Sequence, residues 1–294
     1  MTRPLPIALV QDAAPPGADL ALFAKHLEGL TVLQDKARLF VYPELHLAPM
    51  AAIANGETTI EESAEGLDGP RNDMLARLAG DLGVWLIPGS FYERGDDGLI
   101  YNTTAAYSPE GRRVASYRKV FPWRPYEPVA AGNEFVVFEM TGFGRVGFSI
   151  CYDAWFPECS RHLAWMGAEL IVNVVKTPTA DRAQELVIAR ANAIVNQVFV
   201  ASVNAATPDG LGRSLLVDPQ GRVRVDADDS GPAVLSDVID LDEVAAVREY
   251  GTASVTRPWQ QYTGADAPVL ELPLYGGRID PATWNPKTTV GDSR

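Results

Sequence analysis

Short, largely apolar runs recur along this chain, at residues 6–10, 38–42, 84–91, 145–150, 170–174 and 199–204. A strand that lacks polar alternation has both faces covered, so each run reads as a buried strand and not as the wall of a solvated barrel. The stretches 19–37, 71–82, 157–167 and 180–196 have the spacing of amphipathic helices. Further strands at 99–107, 113–117, 135–140, 214–217, 223–226 and 233–239 include two pairs joined by Ser108-Pro109-Glu110-Gly111 and Asp218-Pro219-Gln220-Gly221, both with hairpin chemistry. A short helix starts at Leu241, and from about Gly251 the sequence becomes a Pro-, Gly- and Thr-rich arm. Buried strands alternating with helices predict one layered α/β unit. We expect it to span residues 1–262, with 263–294 as an arm of the same unit.

Charge and cysteine usage exclude several functions. The 38 acidic and 25 basic residues leave a net charge of −13, which repels a polyanion, and no basic run is long enough to override it. Nucleic acid is therefore not an expected partner. The two cysteines, Cys151 and Cys159, form no CxxC, and the three histidines show no HxxxH spacing, so no metal is expected. The N-terminus reads as a first strand and not as a signal peptide, and no apolar stretch approaches the ~20 residues of a membrane span. A cytoplasmic protein without a membrane partner is the expectation.

Two familiar motifs are decoys. Gly142-Phe143-Gly144-Arg145-Val146-Gly147 matches G-x-G-x-x-G, but a strand follows it where the dinucleotide motif needs a helix, so it reads as a tight turn between strands. Ser149 sits near a nucleophile-elbow pattern, yet the only histidine after it is His162, in the next helix, and the order required of a serine hydrolase fails.

The chemistry falls on residues just past buried strands. Cys151 ends one strand and precedes a helix, where a sulfur and free backbone N–H groups face the space in which loops gather. A nucleophilic cysteine needs a base and an oxyanion stabiliser. Glu44, in Val41-Tyr42-Pro43-Glu44-Leu45, and Lys119, in Tyr117-Arg118-Lys119-Val120-Phe121, follow two other strands, and Glu127 lies eight residues beyond the lysine. Cys159 and His46 read as a packing residue and a hydrogen-bonded histidine. Trp259 and Tyr262 are expected to pack over the core or across a dimer.

Pro-Glu-Leu around Glu44, Tyr-Arg-Lys around Lys119 and Ile-Cys-Tyr-Asp…Phe-Pro-Glu around Cys151 together resemble the nitrilase superfamily of carbon–nitrogen hydrolases. The boxes occur in the family's order, 75 and 32 residues apart. The segment from Lys119 through Glu127 to Gly132 resembles the family's lysine loop. Arg190 to Gln197 resembles its RA-x-A-x-EN helix, with Val195 in place of the usual glutamate. The resemblance runs over residues 5–262.

It implies an α-β-β-α sandwich that dimerises, or assembles further, through helices 157–167 and 180–196. It also implies a cofactor-free hydrolase with Cys151 as nucleophile, Glu44 as proton carrier, and Lys119 and the Tyr152 N–H as oxyanion donors. Glu127 orients substrate or lysine. Nitrile-hydrolysing members usually carry tryptophan after the cysteine, whereas amidases and carbamoylases carry pairs such as Tyr152-Asp153, which favours a small carboxamide substrate over a nitrile or an N-carbamoyl compound. Relatives that act on ω-amides or N-carbamoyl-D-amino acids place an arginine where this chain has Ala154-Trp155. A guanidinium there clamps a carboxylate. Its replacement points to a neutral or aromatic acyl group, with Trp123, Tyr126 and Trp155 as pocket walls and Arg124 as a more distant cation. A scaffold with a dead site is the alternative of another class, and loss of Glu44, Lys119 or Cys151 would have marked it.

Overall fold

The computed structural model describes residues 2–261, 271 and 274–278. A first compact unit spans Met1–Arg257 and a second Pro258–Arg294. The expected arm boundary at 262/263 and Tyr262 lie outside the described residues. Of the second unit, short 3-10 turns are described at Pro258–Gln260 and Leu274–Gly277.

The first unit opens with β1 (Pro4–Gln11), α1 (Leu20–Leu33) and β2 (Leu39–Val41), followed by the short helices α2 (Met50–Ala54) and α3 (Ile60–Ser63). Then come α4 (Pro70–Leu82), β3 (Trp85–Ile87), β4 (Ser90–Arg94), β5 (Ile100–Ser108) and β6 (Arg112–Arg118). The second half runs β7 (Val137–Met140), β8 (Gly144–Ile150), α5 (Pro157–Trp165), β9 (Leu170–Val175), α6 (Arg182–Asn196) and β10 (Phe199–Asn204). It ends with β11 (Leu215–Val217), β12 (Val223–Asp226), β13 (Ala233–Asp240) and α7 (Asp242–Tyr250).

Two sheets result. One has the order β13-β1-β2-β3-β5-β4 with β6 on the free edge of β5, and the other the order β12-β11-β10-β9-β8-β7. In the first, β1, β2 and β3 are parallel, and β5 is antiparallel to both β3 and β6. The chain therefore leaves β2 and β6 at the same end. In the second, β8, β9 and β10 are parallel, so Cys151 and Thr177 follow their strands at a common end.

The period of two sorts the core. Leu5, Ile7 and Leu9 of β1 join Val146, Phe148 and Ile150 of β8 and Val172 and Val174 of β9 in the layer between the sheets. Ala8 and Val10 face the other way, onto Phe23 and Leu27 of α1 and Leu75 and Leu78 of α4. On the far side of the second sheet, α5 and α6 pack over β8 to β10. This is the α-β-β-α layering expected. Each large aliphatic side chain buried in it contributes about 1.5–3 kcal/mol.

Residues 84–91, read as one strand, are two. The chain breaks at Pro88-Gly89, where Gly89 has φ +85° and an added Cβ would meet the Pro43 carbonyl oxygen at 1.8 Å. Only glycine fits so close to the turn that carries Glu44. The helices α2 and α3 were missed because both are short; Thr59 and Glu62 form a capping box at α3 that was legible in principle. The glycine-rich decoy is the turn between antiparallel β7 and β8. No helix among the described residues is long and apolar enough to cross a membrane.

Candidate active site

Three strand ends deliver the chemistry to one place. Glu44 follows β2 through a turn in which its N–H donates to the Val175 carbonyl at 3.3 Å and the Leu45 N–H donates to Ser90 Oγ at 2.8 Å. Lys119 follows β6, its N–H bonded to the Asn102 carbonyl (2.9 Å) and its own carbonyl accepting from the Gly132 N–H (2.8 Å). Cys151 opens a 3-10 turn, Cys151–Trp155, directly after β8, with φ +47°. A non-glycine residue in that region is costly and persists where the surroundings impose it. Asp153 supplies the constraint: it is wholly buried and accepts from the Ile150 N–H (2.9 Å), the Phe121 N–H (2.8 Å) and the Tyr117 hydroxyl (2.8 Å). One carboxylate thus ties the cysteine turn to the lysine loop.

The three predicted residues converge. Lys119 Nζ donates to Glu44 Oε1 at 2.8 Å and to Glu127 Oε2 at 2.7 Å, with Lys119 and Glu44 both buried. Asn102 Nδ2 donates to both glutamates, 2.8 Å to each. The Trp123 N–H adds a third donor to Glu127, at 2.9 Å. The half-buried Cys151 lies in the field of Glu44 and Lys119, and its Sγ is 3.7 Å from Thr177 Oγ1.

The two carboxylates on one lysine have different environments. Burial pushes the Glu44 carboxyl up, and the charge of Glu127 adds to this, against the pull of Lys119. Burial acts on Glu127 in the same sense, but Lys119, Asn102 and the Trp123 N–H overcome it and hold that group below the usual range. Burial disfavours the Lys119 ammonium, yet Glu44, Cys151 and Glu127 together hold it well above its ordinary value. Burial and the Glu44 charge raise the Cys151 thiol, offset in part by Lys119. These environments favour a neutral thiol, a Lys119 ammonium and an ionised Glu127, and they raise the proton affinity of Glu44. Environments that split a pair of acids in this way assign their roles.

The other predicted residues divide. Trp155 is half-buried, its ring 6.1 Å from that of Tyr152, which meets Phe156 edge-on at 5.5 Å, with Phe156 stacked on Phe121. Trp123 and Tyr126 pack on each other, 41% and 71% exposed. Arg124 is spent on the carbonyls of Glu127 and Val129, which fastens the lysine loop. Ser149 is buried and accepts from Asn173 Nδ2, which disposes of it as a nucleophile. Cys159 is buried packing, as expected. The expectation for His46 is corrected: its Nδ1 is buried with no hydrogen-bond partner, and burial lowers its pKa to about 3, so it is a neutral imidazole among Phe23 and Tyr42.

Asn102, Asp153, Thr177 and Glu185 were missed as structural parts of the site. Asn102 was visible only as part of a sequon; its signal was a run of polar residues, Asn102-Thr103-Thr104, inside an otherwise apolar strand. All three are completely buried.

Comparison with known proteins gives the family and the fold. The carbon–nitrogen hydrolase family profile matches residues 7–249. The Xenopus laevis protein named omega-amidase NIT2-A is 33% identical over 233 residues, 74% of this chain and 81% of that protein. A Mycobacterium tuberculosis protein described as a hydrolase is 31% identical over 267 residues, 83% of this chain and 91% of that one. The crystal structure of Saccharomyces cerevisiae Nit3, of the nitrilase superfamily, superposes with a TM-score of 0.75 at 24% identity, covering 84% of this chain and 94% of that one, which bears on the fold. With the profile spanning most of the sequence, the chain belongs to the carbon–nitrogen hydrolase family and is an enzyme of that class.

Proposed function

We propose that this enzyme hydrolyses a small carboxamide through a Cys151 thioester, releasing ammonia. The observation that carries the reading is Lys119 held between Glu44 and Glu127 beside the Cys151 thiol. Glu44 takes the thiol proton as the sulfur forms its bond to the amide carbon and the carbonyl electrons move onto oxygen. The Lys119 ammonium and the Tyr152 N–H, in a leading turn whose N–H groups lack intrahelical acceptors, hold the oxyanion. Protonated Glu44 passes its proton to the nitrogen, the C–N bond breaks, and the thioester remains. Glu44 then deprotonates a water that attacks the thioester, and the proton returns to the departing sulfur. Glu127 does not react; its fixed charge keeps Lys119 ionised and in place.

The substrate's acyl group is proposed to be neutral or aromatic, because Ala154 and Trp155 stand where a carboxylate clamp would be and Trp155 packs with Tyr152. The omega-amidase relatives favour a second reading, an acyl group bearing its own carboxylate. Ammonia release by wild type and Cys151→Ala separates them on a panel of neutral aliphatic and aromatic amides, ω-amides, N-carbamoyl amino acids and matched nitriles. Cys151-dependent turnover led by neutral amides is expected. A large kcat/KM advantage for carboxylate-bearing amides would overturn the acyl assignment, and turnover of nitriles alone would overturn the amide assignment.

We propose also that the enzyme works as a homodimer or larger homo-oligomer in the cytoplasm. The outer faces of α5 and α6 support the assembly, since they present Trp165, Val187, Ile194 and Val195 to solvent in the single chain.

A further inference from the structure

On the side of Cys151 supplied by β9 and α6 there is a second acid, one the proposed mechanism does not use. Thr177 is fixed at every polar atom. Its N–H donates to Asn204 Oδ1 at 2.9 Å, and its carbonyl accepts from the Leu211 N–H at 2.9 Å and from Asn204 Nδ2 at 3.2 Å. Its hydroxyl donates to Glu185 Oε1 at 2.8 Å. Glu185 is buried and is held through Oε2 by Arg182 Nη1 at 3.0 Å. Arg182 is buried in turn and donates to the Gly212 and Arg213 carbonyls and to Ser202 Oγ. Because the Thr177 proton is given to Glu185, the oxygen can offer sulfur only a lone pair. The thiol at 3.7 Å is the donor of that contact, its length set by the larger radius of sulfur.

We propose that Thr177, anchored by Glu185 and Arg182, is the resting acceptor of the Cys151 thiol and sets the position of its sulfur for attack, which makes Thr177 and Glu185 positioning residues of the reaction. This inference rests on the assignment of Cys151 as nucleophile. A hydroxyl that pivoted freely would let the thiol rotate out of line with the substrate carbon, and misplacement of a reacting atom is costly in rate. The ion pair supplies the stiffness, since a buried carboxylate that loses a donor is left with an unsatisfied charge. The charged groups around the sulfur are Glu44 from the turn after β2, Lys119 from the loop after β6, and Glu185 and Arg182 from α6. Glu185 opposes thiolate formation, so the anchor also keeps the nucleophile protonated until Glu44 accepts the proton.

The test uses the full chain with iodoacetamide as probe, following alkylation of Cys151 against pH by peptide mapping, beside kcat and KM on the best amide of the panel. Thr177→Val is expected to lower kcat by about tenfold, with KM changed by less than about twofold, and to slow alkylation; Thr177→Ser is expected to restore both. Glu185→Gln removes a negative neighbour and is expected to move the alkylation profile to lower pH. Wild-type kcat and alkylation in Thr177→Val would overturn the proposal, as would an unshifted profile in folded Glu185→Gln. If Cys151→Ala keeps turnover, the nucleophile assignment falls and takes this inference with it. If Cys151 is required but indifferent to Thr177, only the inference falls.

Discussion

Glu44 and Glu127 share one ammonium, and the proposed mechanism depends on their not being equivalent. Glu44 must be ionised to receive the thiol proton. Burial and the charge of Glu127 raise it above the ordinary glutamate value of 4.5, so the acid limb of kcat/KM should lie above the normal carboxylate range, with activity lost as pH falls through it. Glu127→Gln removes one of the charges that raise Glu44. The acid limb should then move to lower pH while the rate itself falls, because Lys119 has lost a partner. A pH–rate profile of both proteins checks this, and a limb that moves upward would reverse the assigned roles. Asn102 binds the two carboxylates through one nitrogen. Replacing it with alanine strips a buried donor from each, which should cost roughly 1–3 kcal/mol of stability by chemical denaturation and weaken turnover.

At the scale of the elements, the site is a matter of where strands stop. Glu44, Lys119 and Cys151 were legible because each stands just past a strand and within a recognisable box. Asn102, Thr177 and Glu185 were not, because a polar residue inside a strand, a loop or a helix has no meaning until another element is laid beside it. Asn102 acquires its role from the pairing of β5 with β6, which brings Lys119 to its side. Glu185 acquires its role from the crossover that lays α6 against the end of β9. Asp153 was read for its place beside the nucleophile, not for the three hydrogen bonds that join two loops. Asp153→Asn swaps an acceptor oxygen for a donor nitrogen, so at least one of the Ile150, Phe121 and Tyr117 donors is left without its partner. We expect a loss of about 1–3 kcal/mol and a drop in kcat larger than the change in KM, as the cysteine turn relaxes from its left-handed backbone. Wild-type kcat in a folded Asp153→Asn protein would show that the turn holds itself.

For the whole molecule, two sheets meet over a shared apolar layer, and the Glu44–Lys119–Cys151 cluster exists only across that seam. The layering was legible because apolar runs without alternation demand cover on both faces. The outward surface of α5 and α6 was not, since an amphipathic pattern tells which face is buried in the chain and not what covers the opposite one. That surface leaves Trp165 76% and Val187 67% exposed, with Ile194 and Val195 about two turns further along α6. Apolar groups of this size are more often covered than left in water. In the proposed dimer a second copy related by a two-fold axis would cover that surface with itself, and a stable pairing needs about 800 Å² from each partner. Val187→Asp places a charge in that contact from a residue remote from the catalytic groups. Sedimentation velocity should show the wild-type chain at twice the monomer mass or more and the variant shifted toward monomer. Because α6 also carries Glu185, separation of the copies should lower kcat as well, by loosening the helix that anchors Thr177. A monomeric wild type with full turnover would remove both the dimer and this link between assembly and the sulfur's position.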